Sequence, residues 1–272
     1  MSYLIKFFLD ANFVIGLCAA LLCNQTFIVI GKEVSFLLLT IVFFSTVALY
    51  NLHNVVGLAG SISEKHPRYQ SVRKFEIIIK LVILASIALV FSLIFYLPPS
   101  VFLLMLIVAM PSLLYVIPLF AGKRLRDISL IKILLLSCIW PFVTVMLPYS
   151  MSDAVFDAKF YLLFIERALF VFSLAIAFDI RDIEFDKLMG VKTIPIMLGK
   201  ENSFILSAFI LMCWAVLLHF IYPIVVALAL NMLAVLTLYL IWGTMKTQKT
   251  IYYLLYLDGT MLLQALIVPL LM

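Results

Sequence analysis

One segment of the chain is dense in charge and follows directly on an apolar run: Asp179-Ile-Arg-Asp-Ile-Glu-Phe-Asp-Lys-Leu-Met-Gly-Val-Lys-Thr-Ile-Pro-Ile-Met-Leu-Gly199. On an α-helix, where successive residues are about 100° apart, Asp179, Asp182 and Asp186 fall at about 0°, 300° and 340°. Glu184 falls at about 140°, on the other side of the helix. Three carboxylates therefore share one helical face, which predicts a built site rather than a solvated ring of charge.

The composition of the whole chain excludes a water-soluble globule. Hydrophobic residues make up 66% of its 272 residues and charged residues only 12%, and the mean hydropathy is +1.24. Such a chain has too few polar side chains to cover a water-facing surface. The first apolar run, 13–30, lacks a small-residue cleavage pattern, so we expect no cleaved signal peptide.

Apolar runs long enough to cross about 30 Å of hydrocarbon recur along the chain. They predict an all-α fold, a polytopic bundle of about nine transmembrane helices around a central cavity, with 1–272 forming a single transmembrane domain. The nine predicted spans are Phe13–Ile30, Val34–Leu58, Ile77–Leu97, Val101–Phe120, Ile131–Pro148, Phe160–Phe178, Ser203–Ile221, Ile224–Trp242 and Ile251–Leu271.

The distribution of positive charge predicts the orientation of these spans. All but three of the nineteen Lys and Arg residues lie at the N-terminus, in the connections after spans 2, 4, 6 and 8, or within four residues of those connections. The positive-inside rule then predicts a cytoplasmic N-terminus and, for nine spans, a C-terminus outside, in the inner membrane of a bacterium. The net charge of +5 favours anionic head groups or substrates as partners, and not nucleic acid.

Polar and charged residues inside the predicted spans are costly and therefore informative. Glu166-Arg167 is interpreted as a structural pair within the bundle. Asp258 is equally consistent with an interhelical hydrogen bond and with a place on a cavity wall. The four cysteines lie in apolar runs without metal-ligand spacing, and we assign them to packing.

The order Asp-x-x-Asp-x-x-x-Asp, then Gly-x-Lys-Thr-x-Pro-x-x-x-Gly, is more specific than acidic spacing alone. It resembles the UbiA family of intramembrane prenyltransferases, whose second aspartate-rich motif reads much like 179–186 and continues much like Gly190–Pro195. That family is described as a nine-helix bundle with cytoplasmic motif loops. The resemblance implies that Asp179, Asp182 and Asp186 bind Mg²⁺ and act in catalysis, and that Lys192 neutralises phosphate.

The chemistry implied by this resemblance makes clear demands on a site. A prenyl diphosphate is strongly anionic, and breaking its C–O bond releases pyrophosphate, so developing negative charge must be neutralised. Clustered carboxylates hold Mg²⁺, which bridges to phosphate oxygens, while Lys and Arg contact phosphate directly. The allyl cation left behind needs a dry pocket, which some of the 23 Phe, 12 Tyr and 3 Trp could line.

The corresponding place after span 2 departs from the family pattern. The family's first motif has the form Asn-Asp-x-x-Asp-x-x-x-Asp, whereas this chain has Tyr50-Asn-Leu-His-Asn-Val-Val-Gly-Leu-Ala59. The Asn of the motif matches Asn51 in one register, and its first Asp matches Asn51 in the other; neither register keeps a carboxylate. Asn51 and Asn54 share a helical face, and their amides could bind a cation or donate to phosphate, but they add no negative charge.

Further diphosphate contacts are expected from basic and aromatic residues in the same set of connections. In Lys65-His-Pro-Arg68, which resembles the family's basic segment, Arg68 is the candidate. Tyr115 with the pair Lys123-Arg124 resembles a family Tyr followed by Lys-Arg, placing Tyr115 at the cavity and the two cations near the diphosphate. Because the motif connections are four helices apart, we also expect an internal duplication of four-helix units.

Three hypotheses for function follow. The first is a Mg²⁺-dependent prenyltransferase that moves an isoprenoid chain from a prenyl diphosphate to a membrane-soluble acceptor, which the resemblance implies is aromatic. The second is an altered or inactive relative that binds or cyclises a prenyl lipid. The third is a small secondary transporter that uses Asp258 and Glu166, although this leaves the segment 179–199 unexplained.

Overall fold

A computed structural model describes residues 3–58, 72–117 and 124–272, and every regular element in these ranges is helical. Two helices contain π-helical turns, at Phe142–Met146 and at Tyr252–Leu257. The helices are α1 Tyr3–Asp10, α2 Phe13–Val29, α3 Phe36–Leu58, α4 Glu76–Leu93, α5 Pro99–Val116, α6 Ile131–Met151, α7 Ala158–Leu188, α8 Ile194–Leu198, α9 Lys200–Ile221, α10 Ile224–Thr244 and α11 Tyr252–Leu271.

The prediction of an all-α polytopic bundle is confirmed. Eight of these helices, α3 to α7 and α9 to α11, are long and apolar enough to cross a membrane. The segment predicted as the first span forms α2, an apolar helix of 17 residues, which is shorter than the others. Large apolar side chains remain exposed along the outer faces, as expected where lipid replaces water as the solvent. The chain is an integral membrane protein.

The long helices form a closed ring. Neighbours around it are α2 and α3, α3 and α5, α5 and α6, α6 and α7, α7 and α9, α9 and α10, α10 and α11, and finally α11 and α2. The helix α4 packs mainly on α3. Most buried apolar side chains belong to one continuous core that joins α2, α6, α7 and α9 to α11. A ring of this kind leaves an interior space that side chains can line.

The helix α7 is the longest and differs most from its predicted bounds. It runs through the acidic segment to Leu188, where the sequence had placed the end of the span at Phe178. Its end has the hydrogen bonds of a Schellman motif, since Gly190 N donates to Lys187 O at 3.1 Å and Val191 N donates to Asp186 O at 2.9 Å. Gly190 has a φ of 68°, which glycine adopts without a Cβ penalty. The glycine therefore stops the helix directly after its last acidic turn.

The rest of the segment after α7 is also explained by helix ends. Thr193 precedes the short helix α8 and Pro195 occupies its first turn, where a missing N–H has no cost. Gly199, with a φ of 82°, separates α8 from α9. Much of the Gly-x-Lys-Thr-x-Pro-x-x-x-Gly pattern thus turns the chain from α7 into α9.

Candidate functional site

A cavity of about 710 Å³ lies inside the ring of helices. Its wall at one end comes from the last turns of α3, α5 and α7 and the first turns of α6 and α11. Apolar side chains such as Ile94, Met105 and Leu147 line it further along. Since Lys132 and Leu147 both line it, the cavity follows α6 for about 22 Å. The charged side chains on its wall are Arg126, Lys132, Asp179, Arg181, Asp182 and Asp258.

The acidic face predicted for α7 is buried. Asp179, Asp182 and Asp186 are 2%, 8% and 3% exposed, whereas the side chain of Glu184 is 73% exposed. Asp179 and Asp182 line the cavity. Asp186 lies one turn further along, next to the first turn of α6. Burial of three carboxylates is costly unless cations or donors compensate them.

Lys132 at the start of α6 compensates two of these carboxylates. Its Nζ lies 2.6 Å from Asp179 Oδ1 and 3.3 Å from Asp186 Oδ2. The side chain of Lys132 is only 9% exposed and lines the cavity. One ammonium therefore bridges the first and third aspartates of the motif.

Arg181 compensates the remaining aspartate. Its Nε and Nη2 donate to the two oxygens of Asp182 at 2.6 Å and 2.9 Å, a bidentate pair. The guanidinium carbon lies 4.7 Å from the ring centre of Tyr253 and 5.1 Å from that of Phe178. Arg181 also lines the cavity, and its buried Nη1 has no hydrogen-bond partner within the described ranges. That donor is suited to an anionic ligand.

The wall opposite α7, at the end of α3, carries no carboxylate among residues 51–58. His53 and Asn54 line the cavity there. Arg126, on the turn that leads into α6, is 8% exposed and contacts the His53 ring through Nη1. Its guanidinium lies 5.7 Å from the ring centre of Tyr115, another lining residue. This wall thus presents cationic and neutral side chains, whereas the α7 wall presents carboxylates.

Asn51 lies next to this wall and bonds to the protein itself. Its Nδ2 donates to Ala11 O at 2.7 Å and to Val47 O at 2.9 Å, and its Oδ1 accepts from Asn12 Nδ2 at 2.8 Å. It is fully buried and fastens α3 to the link between α1 and α2. Asn51 is not a lining residue of the cavity, so the structure brings Asn54 but not Asn51 to it. Their binding of diphosphate stays a prediction.

Other predicted site residues lie outside the cavity or outside the described ranges. Arg124 forms two side-chain hydrogen bonds with Asp127, at 2.9 Å and 3.0 Å. Burial raises the pKa of Asp127, but these bonds and the charge of Arg124 outweigh it, so the pKa lies below its ordinary value. Lys192 is exposed and donates its backbone N–H to Ser129. Arg68 and Lys123 lie outside the described residues.

The donor set on α7 suits one hard divalent cation. Carboxylate oxygens are the ligands that Mg²⁺ prefers, and three of them share a buried face. Within 3–58, 72–117 and 124–272, however, no three His, Cys, Asp or Glu side chains are already grouped closely enough to hold a metal. The ion pairs with Lys132 and Arg181 account for this, because each aspartate already has a cationic partner.

Glu166 and Asp258, the acidic residues interpreted above as lying inside predicted spans, have different surroundings. Glu166 and Arg167 are completely buried away from the cavity and pair at 3.5 Å, in agreement with a structural pair. Glu166 Oε1 also accepts from Trp214 Nε1 at 2.7 Å. Asp258 lines the cavity, which favours the cavity-wall interpretation.

Three buried cations of the site were missed when the sequence was interpreted. Arg126, Lys132 and Arg181 had been counted only as orientation charges. A signal existed for Lys132, because it is the second residue of a predicted span, where a charge is costly. No comparable signal marks Arg126, whose approach to His53 depends on the packing of α3 against the turn before α6.

Comparison with known proteins gives a match to one family and to several folds. Residues 71–257 match the model of the UbiA prenyltransferase family. No curated protein matches the chain. Among solved structures, a UbiA homologue from Archaeoglobus fulgidus bound to GPP and Mg²⁺ is similar, with a TM-score of 0.69 and 15% identity, covering 97% of this chain and 98% of that one.

Two further structures have the same fold. The apo structure of a UbiA homologue from Aeropyrum pernix K1 gives a TM-score of 0.66 at 17% identity, covering 94% of this chain and 95% of that one. A digeranylgeranylglyceryl phosphate synthase gives a TM-score of 0.57 at 18% identity, covering 99% and 98%. At these identities the structures establish a shared fold.

Proposed function

The chain belongs to the UbiA prenyltransferase family, and from this premise we propose that it transfers an isoprenoid chain from a prenyl diphosphate to a membrane-soluble, aromatic acceptor. The observation that supports this most is the polarity of the cavity. Buried acidic and cationic side chains meet at one end, and mostly apolar side chains line the remainder. A diphosphate matches the charged end and a hydrocarbon chain matches the apolar part.

Recognition of the diphosphate falls to three buried cations. Arg181 offers the unsatisfied Nη1, and Arg126 offers a guanidinium on the opposite wall. Lys132 lies between them in the chain and reaches the same space. Arg and Lys in a site shielded from water bind phosphate oxygens strongly and stabilise the charge that develops as the C–O bond breaks.

A divalent cation would be held by Asp179, Asp182 and Asp186, and would supply positive charge to the leaving pyrophosphate. Other residues of the chain position Arg181, exclude water and orient the substrate. Phe178 and Tyr253 hold the Arg181 guanidinium between the aspartates and the cavity. The apolar wall along α6 and α7 keeps water from an allylic cation and orients the hydrocarbon chain.

The neutral end of α3 supports a second candidate, a relative with altered chemistry that binds or cyclises a prenyl lipid. In one of the two registers Asn54 stands where the family motif has a carboxylate, and neither Asn54 nor the neighbouring His53 adds negative charge. The two candidates share the ligand and differ in the product. The transporter hypothesis gains no comparable support, because Glu166 is buried among hydrogen-bond donors away from the cavity.

The proposal includes an orientation. With the charged end of the cavity on the cytoplasmic side, the N-terminus is cytoplasmic and the C-terminus outside, in a bacterial inner membrane. The prenyl diphosphate would then enter from the cytoplasmic side. The single domain and the duplication of four-helix units stay part of this proposal.

The experiment is an activity assay with the purified protein in lipid vesicles. A panel of prenyl diphosphates of increasing length is added with Mg²⁺ and candidate aromatic acceptors, and both pyrophosphate and prenylated product are measured. Pyrophosphate with a prenylated acceptor supports transfer, whereas pyrophosphate with a cyclic product supports the second candidate. Asp182→Asn should lower the rate at least about tenfold. Losing this carboxylate charge should raise the activation free energy by about 1.4 kcal/mol or more. No pyrophosphate from any donor would overturn the transferase proposal.

A further inference from the structure

We propose that Lys132 is a resident counter-cation of the acidic motif, which leaves Asp179 and Asp186 when a divalent metal binds and then contacts the diphosphate. The metal-bound and metal-free states of the site would therefore differ in the position of the Lys132 ammonium group. The inference deepens the proposed function and rests on it for the diphosphate. Its first half, the competition between Lys132 and a metal, concerns the protein alone.

The geometry places the ammonium between the two carboxylates that a metal would need. Lys132 Nζ contacts Asp179 Oδ1 at 2.6 Å and Asp186 Oδ2 at 3.3 Å. Both aspartates are over nine-tenths buried, so their oxygens have little access to water as an alternative partner. A metal that took these oxygens would meet the Lys132 charge at close range, and two cations cannot share them without strong repulsion.

The position of Lys132 in α6 disfavours a cation apart from this contact. Lys132 is the second residue of α6, where the helix dipole is positive and a cation is destabilising. Two carboxylates offset this cost. Once a metal binds those carboxylates, the cost is no longer offset, which favours movement of the Lys132 side chain.

The surroundings show where the ammonium would go. Lys132 already lines the cavity, and its flexible side chain can turn about Cα without moving α6. Arg181, with its unsatisfied Nη1, and Arg126 line the same space. An anion there would attract Lys132 away from the aspartates as the metal takes its place. The exchange keeps every carboxylate paired with a cation in both states.

The first test uses the wild-type protein and measures how fast Lys132 reacts with an amine-acylating reagent, by mass spectrometry. Mg²⁺ alone should raise the labelling of Lys132 about threefold or more, because the ammonium leaves its two carboxylates. Adding a non-hydrolysable prenyl diphosphate with Mg²⁺ should lower it again. Lys187, which is exposed and pairs with Glu184 on α7, is the internal control and should not respond.

The second test measures binding of Mn²⁺ by electron paramagnetic resonance in the absence of any prenyl diphosphate. Lys132→Met should bind Mn²⁺ about tenfold more tightly than wild type, because the competing cation is gone. Lys132→Arg keeps a cation and should stay close to wild type. Lys187→Met is the matched control and should not change the affinity. If Lys132→Met does not fold, the labelling experiment and Lys132→Arg still decide the question.

The outcomes separate the two proposals. The exchange is overturned if Mg²⁺ does not change the labelling rate of Lys132. It is also overturned if a folded Lys132→Met variant binds Mn²⁺ more weakly than wild type. A response to metal alone without protection by prenyl diphosphate supports the exchange and counts against the proposed function. Protection by the diphosphate that requires Mg²⁺ supports both.

Discussion

The helix α7 carries two clusters of buried charge, and they differ in what surrounds them. Near its start, Glu166 and Arg167 are 0% exposed and bond to neutral partners on three other helices. Near its end, the three aspartates pair with cations beside a cavity. The hydrogen bonds of the first cluster reach Gln25, Trp214 and Gln264, and Gln25 in turn donates to Tyr222.

This contrast shows that burial of charge does not by itself identify a functional site. The Glu166 cluster crosslinks α2, α7, α9 and α11 where the ring is filled, and it borders no cavity. It therefore stabilises the bundle. The aspartate cluster lies where the ring is open inside. Among the described residues, both clusters keep an unsatisfied arginine Nη1, but only Arg181 lines the cavity, whereas Arg167 does not. Substitutions in the Glu166 cluster should therefore lower the stability of the fold, and substitutions in the aspartate cluster should weaken ligand binding.

The largest effect is expected from Arg167→Met. The change leaves Glu166 buried without its cation, and removing one partner of a buried pair costs about 3–5 kcal/mol. The unfolding temperature in detergent should fall steeply, while the folded fraction binds prenyl diphosphate as wild type does. Adding Glu166→Gln should restore part of the loss, since no charge is then left unpaired. An unchanged unfolding temperature in Arg167→Met would contradict a structural role for this pair.

A moderate effect is expected from Arg126→Gln, which tests whether the cations beside the cavity act in binding. Losing a charged hydrogen bond to phosphate costs about 1.5–3 kcal/mol, so the Kd for prenyl diphosphate should rise about tenfold or more. The unfolding temperature should change little. Lys192→Ala, at the exposed residue also predicted to contact phosphate, should have a smaller effect. If calorimetry shows that Lys192→Ala weakens binding more than Arg126→Gln does, this ranking is wrong.

The smallest effect is expected from Asp127→Asn, in the turn that positions Arg126. Because the folded pKa of Asp127 is lowered, its stabilising contribution is present above the unfolded value of about 4 and is lost as the pH falls through the folded pKa. The variant should lose about 1 kcal/mol or less near pH 7. Unfolding curves near pH 7 and pH 3 check this, because the difference from wild type should shrink at the lower pH. A difference that grows on acidification would contradict the assigned sign.

The sequence predicted the α7 half of the site because local geometry determines it. The spacing of three aspartates specifies one helical face, and the structure buries that face. Apolar run length likewise predicted the membrane bundle. These features depend on neighbours in the chain, so they can be deduced without knowing how the helices pack.

The cationic half could not be predicted, because it depends on packing between helices. Lys132 meets Asp179 and Asp186 only because α6 lies against α7. Asn51 shares a face with Asn54, yet its amide bonds to Ala11 and Asn12 because α3 packs on the start of α2. Helical spacing gives the direction of a side chain, and the neighbouring helix decides whether it meets a cavity or a partner.

The claim that the end of α7 is a metal-assisted diphosphate site is tested most directly by calorimetric titration of a prenyl diphosphate into the purified protein. The titration is run with Mg²⁺ and with a chelator, for wild type and for Asp182→Asn. We predict binding that requires the metal and that weakens at least about tenfold in Asp182→Asn. No binding to wild type in either buffer, or equal binding by both proteins, would contradict the account.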